Sequence, residues 1–550
     1  MTGAFVARET LLACPRCDRV FESEALRRLV PHRCNIAWDV RVHIGRRMFL
    51  QHCSAEQIHT ELLARDVRLS PSEINYLGRK FIVYLAIAHR QATPRINRSM
   101  QMAGGYVLHL DAAHDADAPA LMTGMDSLSR FVLGNVKIPS EHAKYIVPFL
   151  KQLRHDYGLP VAIVHDMGTG ICKAVTEVFP GVRDFICHFH FLRDVGKDLL
   201  DPTYSTLRNH LRKHSASTKL SALARDVRHR LSDQNISTQW LPVCIKTGES
   251  TIDLDFLPMV SVYSLTLWCL HGKHSGDGYG FPFDRPLLGF AERLWVLLKR
   301  FPKLFHRMPA GNRAAQRIFL KFVNTVVDIV IDPVFEQSVD ELRWRCRLFD
   351  DLRDKMRIAA AGGRNGLNDD GTATTMTGIR QGVDQFRCRL DQEPKLAADR
   401  LCRKVAEQID RYGDKLFADP IELTTASGSM TLYPQRTNNI MEQFFRSLRR
   451  GYRHKTGNNT MRRMLQSMLA DTPLVKNLEN PAYMKILLDG KENLEELFAE
   501  METNMRTSIV ESEADADRIL PGFRPLLKLQ DLPYRISSLC TKAQAMAKSN

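Results

Sequence analysis

Three acidic residues stand where carboxylates can do chemistry. The apolar run YVLHL (106–110) leads into Asp111, and VAIVH (161–165) leads into Asp166. A carboxylate at the carboxyl end of a buried strand emerges where open α/β sheets place their reactive groups. The third, Glu442, is the single acid among Arg436, Arg446, Arg449, Arg450, Arg453, Lys455, Arg462 and Arg463. Carboxylates are hard oxygen ligands, and a set of three suits a pair of divalent ions that serve the attacking and leaving oxygens of a phosphodiester. Two alone would not hold both ions and the phosphate. A competing explanation holds for Glu442: it stands three residues after Asn439, where a glutamate closes a capping box.

Other side chains cluster near these acids. Cys187 and His190 follow the second one with C-x-x-H spacing; as a buried thiol and a hydrogen-bonded imidazole they are ordinary core residues, and otherwise they support the acids. His188, His190 and Asp166 offer an alternative zinc site, against which stands the lack of a further His motif at ligand spacing. Arg449, Arg450, Arg453 and Lys455 are the phosphate-contact candidates, although a basic run is often no more than a solvated helix face. At the N-terminus a CPRC knuckle, Cys14 and Cys17, with His32 and Cys34 has the composition of a Cys3His zinc site, unless the pair is incidental.

The elements that must hold these groups follow from pattern and punctuation. After the first strand come further strands at about 120–125 and 130–137, and a helix at 141–157. The strand ending at Asp166 is followed by a helix from near Gly168 to the FPG at 179–181, and DFICHFH (184–190) reads as a last strand. Three strands, helix, strand, helix, strand is the order of a ribonuclease-H-like core. Residues 205–430 read as helical, broken by HGKHSGDGYGFPFDRP (271–286) and the linker-like AAAGGRNGLNDDGTATT (359–375). Within 54–85, Ser54 and Ser70 each open a short amphipathic helix, Ser70 with Pro71 and a capping-box Glu73. Two such helices with a tight connection are either a helix-turn-helix or a plain helical hairpin. The expected fold is an α/β ribonuclease-H-like core (100–204 and 431–470) with a large all-α insertion (205–430). A zinc ribbon (1–35) and a helix-turn-helix (36–92) precede it, and a helical tail (471–550) follows.

Composition narrows the partners. The chain has 550 residues, 44% hydrophobic and 25% charged, and 77 basic against 62 acidic side chains leave +15. That balance excludes a disordered or fibrous protein and favours a polyanion as partner. Twelve cysteines in a chain this long read as reduced thiols plus one metal site. No apolar run reaches the roughly 18 residues of a bilayer helix, and no basic start precedes an apolar stretch, so the expectation is a cytoplasmic, nucleoid-associated protein.

Three motifs then carry a resemblance: HDMGTGICKAVTEVFPGVRDFICHFH around Asp166, Cys187-x-x-His190, and TNNIMEQFFRSLRR around Glu442. With Asp111 they make roughly residues 100–470 resemble the DDE transposases of the Mutator-like and related bacterial insertion-sequence groups. The resemblance implies Mg2+ (or Mn2+) held by Asp111, Asp166 and Glu442, and strand cleavage and strand transfer at the ends of an insertion sequence. It further implies a zinc-bearing front that binds double-stranded DNA at terminal inverted repeats, a target DNA, and a homodimer on DNA. Arg193-Asp194 stands where some relatives carry Arg-Asn. The alternative is a catalytically silent, transposase-derived DNA-binding regulator. A junction-resolving nuclease of the same core accounts for neither the front module nor the insertion.

Overall fold

The computed structural model describes residues 5–13, 15, 20–233, 238, 240–248, 253–274, 276–309, 312–359, 375–417, 419–425, 428–516, 526 and 529–547. It is a mixed α/β protein, 67% helical with a small mixed sheet. Among the described residues no helix is long and apolar enough to cross a membrane. The chain forms two compact units, Met1–Ile96 with Leu448–Asn550, and Asn97–Ser447.

The first unit begins with a two-stranded antiparallel ladder of β1 (Leu12–Ala13) and β2 (Val20–Phe21), followed by α1 (Glu24–Leu29), α2 (Trp38–Phe49), α3 (Ala55–Leu63) and α4 (Pro71–Met102). Reciprocal bonds start α3: Gln57 N–H donates to Ser54 Oγ, and the Ser54 N–H to Gln57 Oε1. Ser70 and Glu73 repeat the arrangement at α4. The second helix is not short, however. It runs for 32 residues, past the boundary expected at 92, because Ile74, Leu77, Phe81, Leu85, Ala88, Ala92, Ile96 and Met100 keep one face buried every three or four residues. The C-terminal segment, expected as a helical tail, contributes to this unit's core. Phe498, on a helix spanning Leu494–Ala516, packs against Trp38, Phe81 and Tyr84 at 5.5–6.3 Å between ring centroids. Tyr483 shares a 2.7 Å hydrogen bond with His89 Nδ1.

The second unit holds a five-stranded sheet of β3 (Val107–Ala113), β4 (Ala120–Asp126), β5 (Val132–Ile138), β6 (Ala162–His165) and β7 (Arg183–Ile186), in the order β5-β4-β3-β6-β7. The first three form an antiparallel meander, and β6 and β7 lie parallel to β3. α5 (Ala143–Tyr157) and α6 (Thr169–Val178) make the crossovers, since parallel neighbours need a helix-length connection. Two expected boundaries move. β3 continues through Asp111 to Ala113, because Asp111 still pairs with Thr123 of β4. The strand expected at 184–190 stops at Ile186: the Cys187 N–H donates to His165 O, and a long helix, α7 (His188–Lys213), begins at the next residue. From there Leu192, Val195, Leu199 and Leu200 are buried at helical spacing.

α7 opens a helical block that continues with α8 (Ala216–Asp233), α9 (Trp240–Thr247), α10 (Leu257–His271), α11 (Pro286–Arg307), α12 (Arg313–Val330), α13 (Pro333–Met356), α14 (Met376–Gln392), α15 (Pro394–Ala398) and α16 (Arg400–Leu416). Its buried residues form one apolar core, with Leu342 and Phe349 of α13 among the α7 side chains. The expected linker at 359–375 lies, apart from its two ends, outside the described residues. The block is not wholly α as expected, because it closes on an antiparallel hairpin, β8 (Ile421–Thr425) and β9 (Gly428–Leu432), that does not join the main sheet. Alternation decides its placement: Ile421 and Leu423 point inward onto Val107, Ala162, Val164 and Phe185, while Glu422 and Thr424 face out. Burying each of these two side chains contributes about 1.5–3 kcal/mol. The hairpin thus returns the chain to the sheet just before α17 (Asn439–Thr456).

Candidate active site

Asp111 and Asp166 come from neighbouring strands. β3 and β6 pair in parallel with His109 opposite Val164, and continuing that register two residues sets Asp111 beside Asp166. Side chains level with one another on adjacent strands share a face about 4.8 Å apart. Asp111 Oδ1 accepts from the Ala112 N–H at 2.8 Å, and Asp166 Oδ1 from the Gly168 N–H at 3.1 Å, which turns the chain into α6.

The third acid arrives on α17, whose start is sewn to the sheet by a fully buried asparagine. Asn438 donates through Nδ2 to Leu110 O (2.9 Å), accepts through Oδ1 from His109 Nδ1 (2.9 Å), and gives its backbone N–H to Cys187 Sγ (3.2 Å). Since Oδ1 can only accept, His109 carries its proton on Nδ1. Burial keeps that ring neutral, its pKa lowered to about 4. Beside it, Arg436 O accepts from the His188 N–H at 2.9 Å. The Glu442 N–H bonds Asn438 O, so Glu442 lies one turn into α17. Among the described residues its carboxylate does not reach back to the helix start as a capping box requires; its one ion-pair partner is His190 Nε2, 3.9 Å from Oε1.

Electrostatics join the three. Burial, then Asp166, Glu442 and Glu141, hold the Asp111 carboxyl well above the usual range. Burial also raises Glu442, against the opposing pull of Arg193 and Arg446. Among the described residues neither Asp111 nor Asp166 has a Lys or Arg ion-pair partner. At an effective dielectric near 20, two carboxylates ~5 Å apart repel by about 3 kcal/mol, so such a group is stable as anions only around a countercharge. Only His210, His214 and Asp332 bring three ligand atoms within 4.8 Å of one another among the described residues. The convergence expected of Asp111, Asp166 and Glu442 is therefore looser than that: their carboxylate oxygens do not all lie within 4.8 Å of one another.

Cys187 and His190 hold different positions from those of a strand pair. Cys187 is the N-cap of α7 and His190 lies in its first turn. Burial pushes the Cys187 thiol up to about 12, so it stands as a protonated hydrogen-bond partner of the Asn438 N–H. His190, lowered to about 4 by burial and Arg193, is neutral and faces Glu442. His188 Nε2 donates to Leu416 O, which turns it away from a zinc site shared with His190 and Asp166.

Arg449, Arg450 and Arg453 are exposed on the later turns of α17. Lys455 is not: its ammonium lies 4.9 Å above the Phe49 ring, and burial lowers its pKa. Cys14 and Cys17 lie outside the described residues. Of the other two expected zinc ligands, Cys34 is exposed and His32 Nδ1 sits 2.9 Å from Glu22 Oε1.

Two further acids belong to the cluster and escaped the sequence reading. Glu141, just before α5, is raised by burial and by Asp166, and forms a 3.2 Å pair with His114. Asp194 is likewise raised by burial, with Asp166 adding to it. The Arg193-Asp194 pair was a visible signal for the second; Glu141 has none, because its role depends on α6 passing so close that a Cβ on Gly170 would stand 1.8 Å from Glu141 O.

The chain matches no protein-family model and no curated protein.

Proposed function

We propose that the protein is a DDE-type transposase with a ribonuclease-H-like core, cutting DNA at the ends of a mobile element and joining the freed 3′ end to a target. One observation carries this reading: acids at the end of β6 and on a helix beyond a large helical block both raise the proton affinity of buried Asp111 on β3, and among the described residues neither Asp111 nor Asp166 has a basic ion-pair partner. Asp111, Asp166 and Glu442 are the residues that would hold Mg2+ or Mn2+. Bound there, the metal supplies Lewis-acid stabilisation of the phosphodiester oxygens.

The protein's own groups fix that arrangement. Asn438 and His109 hold the start of α17 against β3, and neutral His190 braces Glu442 without neutralising it. Arg449, Arg450 and Arg453 are suited to phosphate contacts. The exposed first turns of α4, with Ser72, Asn75, Arg79 and Lys80, are suited to a DNA groove.

Strand cleavage and joining on duplexes bearing the element's ends test the reading. Asp111→Asn removes a ligand charge at constant size, so both steps should fall by orders of magnitude while DNA binding persists. Equal cleavage by the variant would overturn the three-acid mechanism. Tight, site-specific binding by a parent protein that never cuts would favour the regulator.

A further inference from the structure

In the helical block of the second unit, three side chains remote in sequence from the acids meet with the composition of a metal centre. His210 lies in the last turn of α7, His214 is its C-cap, and Asp332 is the N-cap of α13. Residues four apart share a helix face, so both imidazoles reach the same side. His210 Nε2 is 2.8 Å from Ile329 O, a group that only accepts, which places the proton on Nε2 and leaves Nδ1 as a lone pair. That lone pair faces Asp332 Oδ2 at 3.7 Å. His214 Nε2, a buried atom without a hydrogen-bond partner among the described residues, stands 3.9 Å from the same oxygen. Asp332 Oδ1 is already committed to the Val334 N–H, so Oδ2 is the free one.

We propose that His210, His214 and Asp332 bind a zinc ion that clamps the end of α7 to the start of α13. Two imidazole nitrogens and a carboxylate oxygen are a recurrent zinc ligand set. Bonds of about 2.0–2.2 Å put tetrahedral ligand atoms roughly 3.3–3.6 Å apart, so the observed 3.7 and 3.9 Å close with a shift of a few tenths of an ångström. The last turn of α7 contributes exposed carbonyl dipoles that favour a cation. Lys213 and Lys219 oppose any cation there, and the Asp332 carboxylate offsets them.

Zinc titration of the chelator-treated full chain tests this, in a Cys14→Ser, Cys17→Ser background that removes the N-terminal thiolates. Metal content, affinity and the zinc-dependent shift in Tm are compared with those of His214→Ala and Asp332→Asn made in the same background. Asn caps a helix as well as Asp does, so the second variant keeps the start of α13 and should match the parent's metal-free Tm. The parent should bind one more zinc than either variant, with that affinity reduced at least about a hundredfold on loss of a ligand. Co2+ in its place should give visible d–d bands unaccompanied by thiolate charge transfer. Equal zinc content and equal zinc-dependent Tm shifts in parent and both variants would overturn the proposal. A proton shared between His214 and Asp332 would produce that result.

Discussion

Asn438 occupies a position that no surface polar residue could fill, fully buried and bonded through both side-chain atoms to β3. Asn438→Leu leaves the His109 N–H and Leu110 O without these partners, and each unmatched buried group costs about 1–3 kcal/mol. The expected loss of about 2–4 kcal/mol is measurable by urea unfolding, and strand cleavage should fall with it because Glu442 loses its anchor. A loss under about 0.5 kcal/mol would contradict the assigned bonds. Cys187 invites the opposite expectation. With its thiol up at about 12, Cys187→Ser should keep cleavage within a few-fold, and the native protein should resist alkylation there. Asp111 and Asp166 could be read from sequence because an apolar strand running into an acid is a local pattern. Asn438 could not, since its partner Leu110 is 328 positions away, and the capping-box reading of Glu442 could be weighed only once its carboxylate was placed, facing His190 and not the helix start.

Elements carry the pH dependence. His165, fully buried in β6, is opposed by desolvation, yet its hydrogen bonds to Asp184 and Cys172 hold its pKa up to about 9. Asp184 in turn is held below its usual value by His165 and by Lys415 of α16, 2.6 Å away, despite its burial. A histidine raised on folding stabilises fully below its unfolded pKa, about 6.5, and the contribution is lost as pH rises through about 9; on the order of 3 kcal/mol is an upper bound. Asp184, being lowered, stabilises above about 3.8 and loses its share as pH falls through the folded value. Thermal unfolding from pH 6.5 to 9.5 should therefore show an alkaline decline that Asp184→Asn largely removes; parallel curves would refute the coupling. Packing sets a sterner limit at α6. Gly170→Ala would drive a methyl into the Glu141 carbonyl, and a cost of about 3 kcal/mol or more is expected in denaturant unfolding. Strand and helix order was legible from periodicity, whereas the end of β7 was not. DFICHFH alternates well enough for a strand, and only the Cys187 to His165 bond shows where the ladder stops and α7 begins.

At the scale of the whole molecule, charge and chain order govern behaviour. If Arg449 and Arg450 each meet a phosphate, replacing both with alanine should weaken binding to every DNA sequence alike and reduce the salt slope by about two. Lys455→Ala should leave that slope unchanged, because its ammonium lies over Phe49. An equal slope for the double variant and the parent would remove these arginines from the interface. The net charge of +15 favoured a polyanion as partner, but it could not separate an exposed arginine from a lysine folded inward on the same helix. The tie between Asn438 and Cys187 spans 251 positions of chain, nearly all of it the helical block. At roughly 5–20 residues per second of synthesis, that interval lasts about 10–50 s. Throughout it, a nascent chain on the ribosome displays two acids and no third, and so does any fragment released before Asn438. Under the proposed three-acid mechanism such a fragment lacks the third ligand and should not cut DNA.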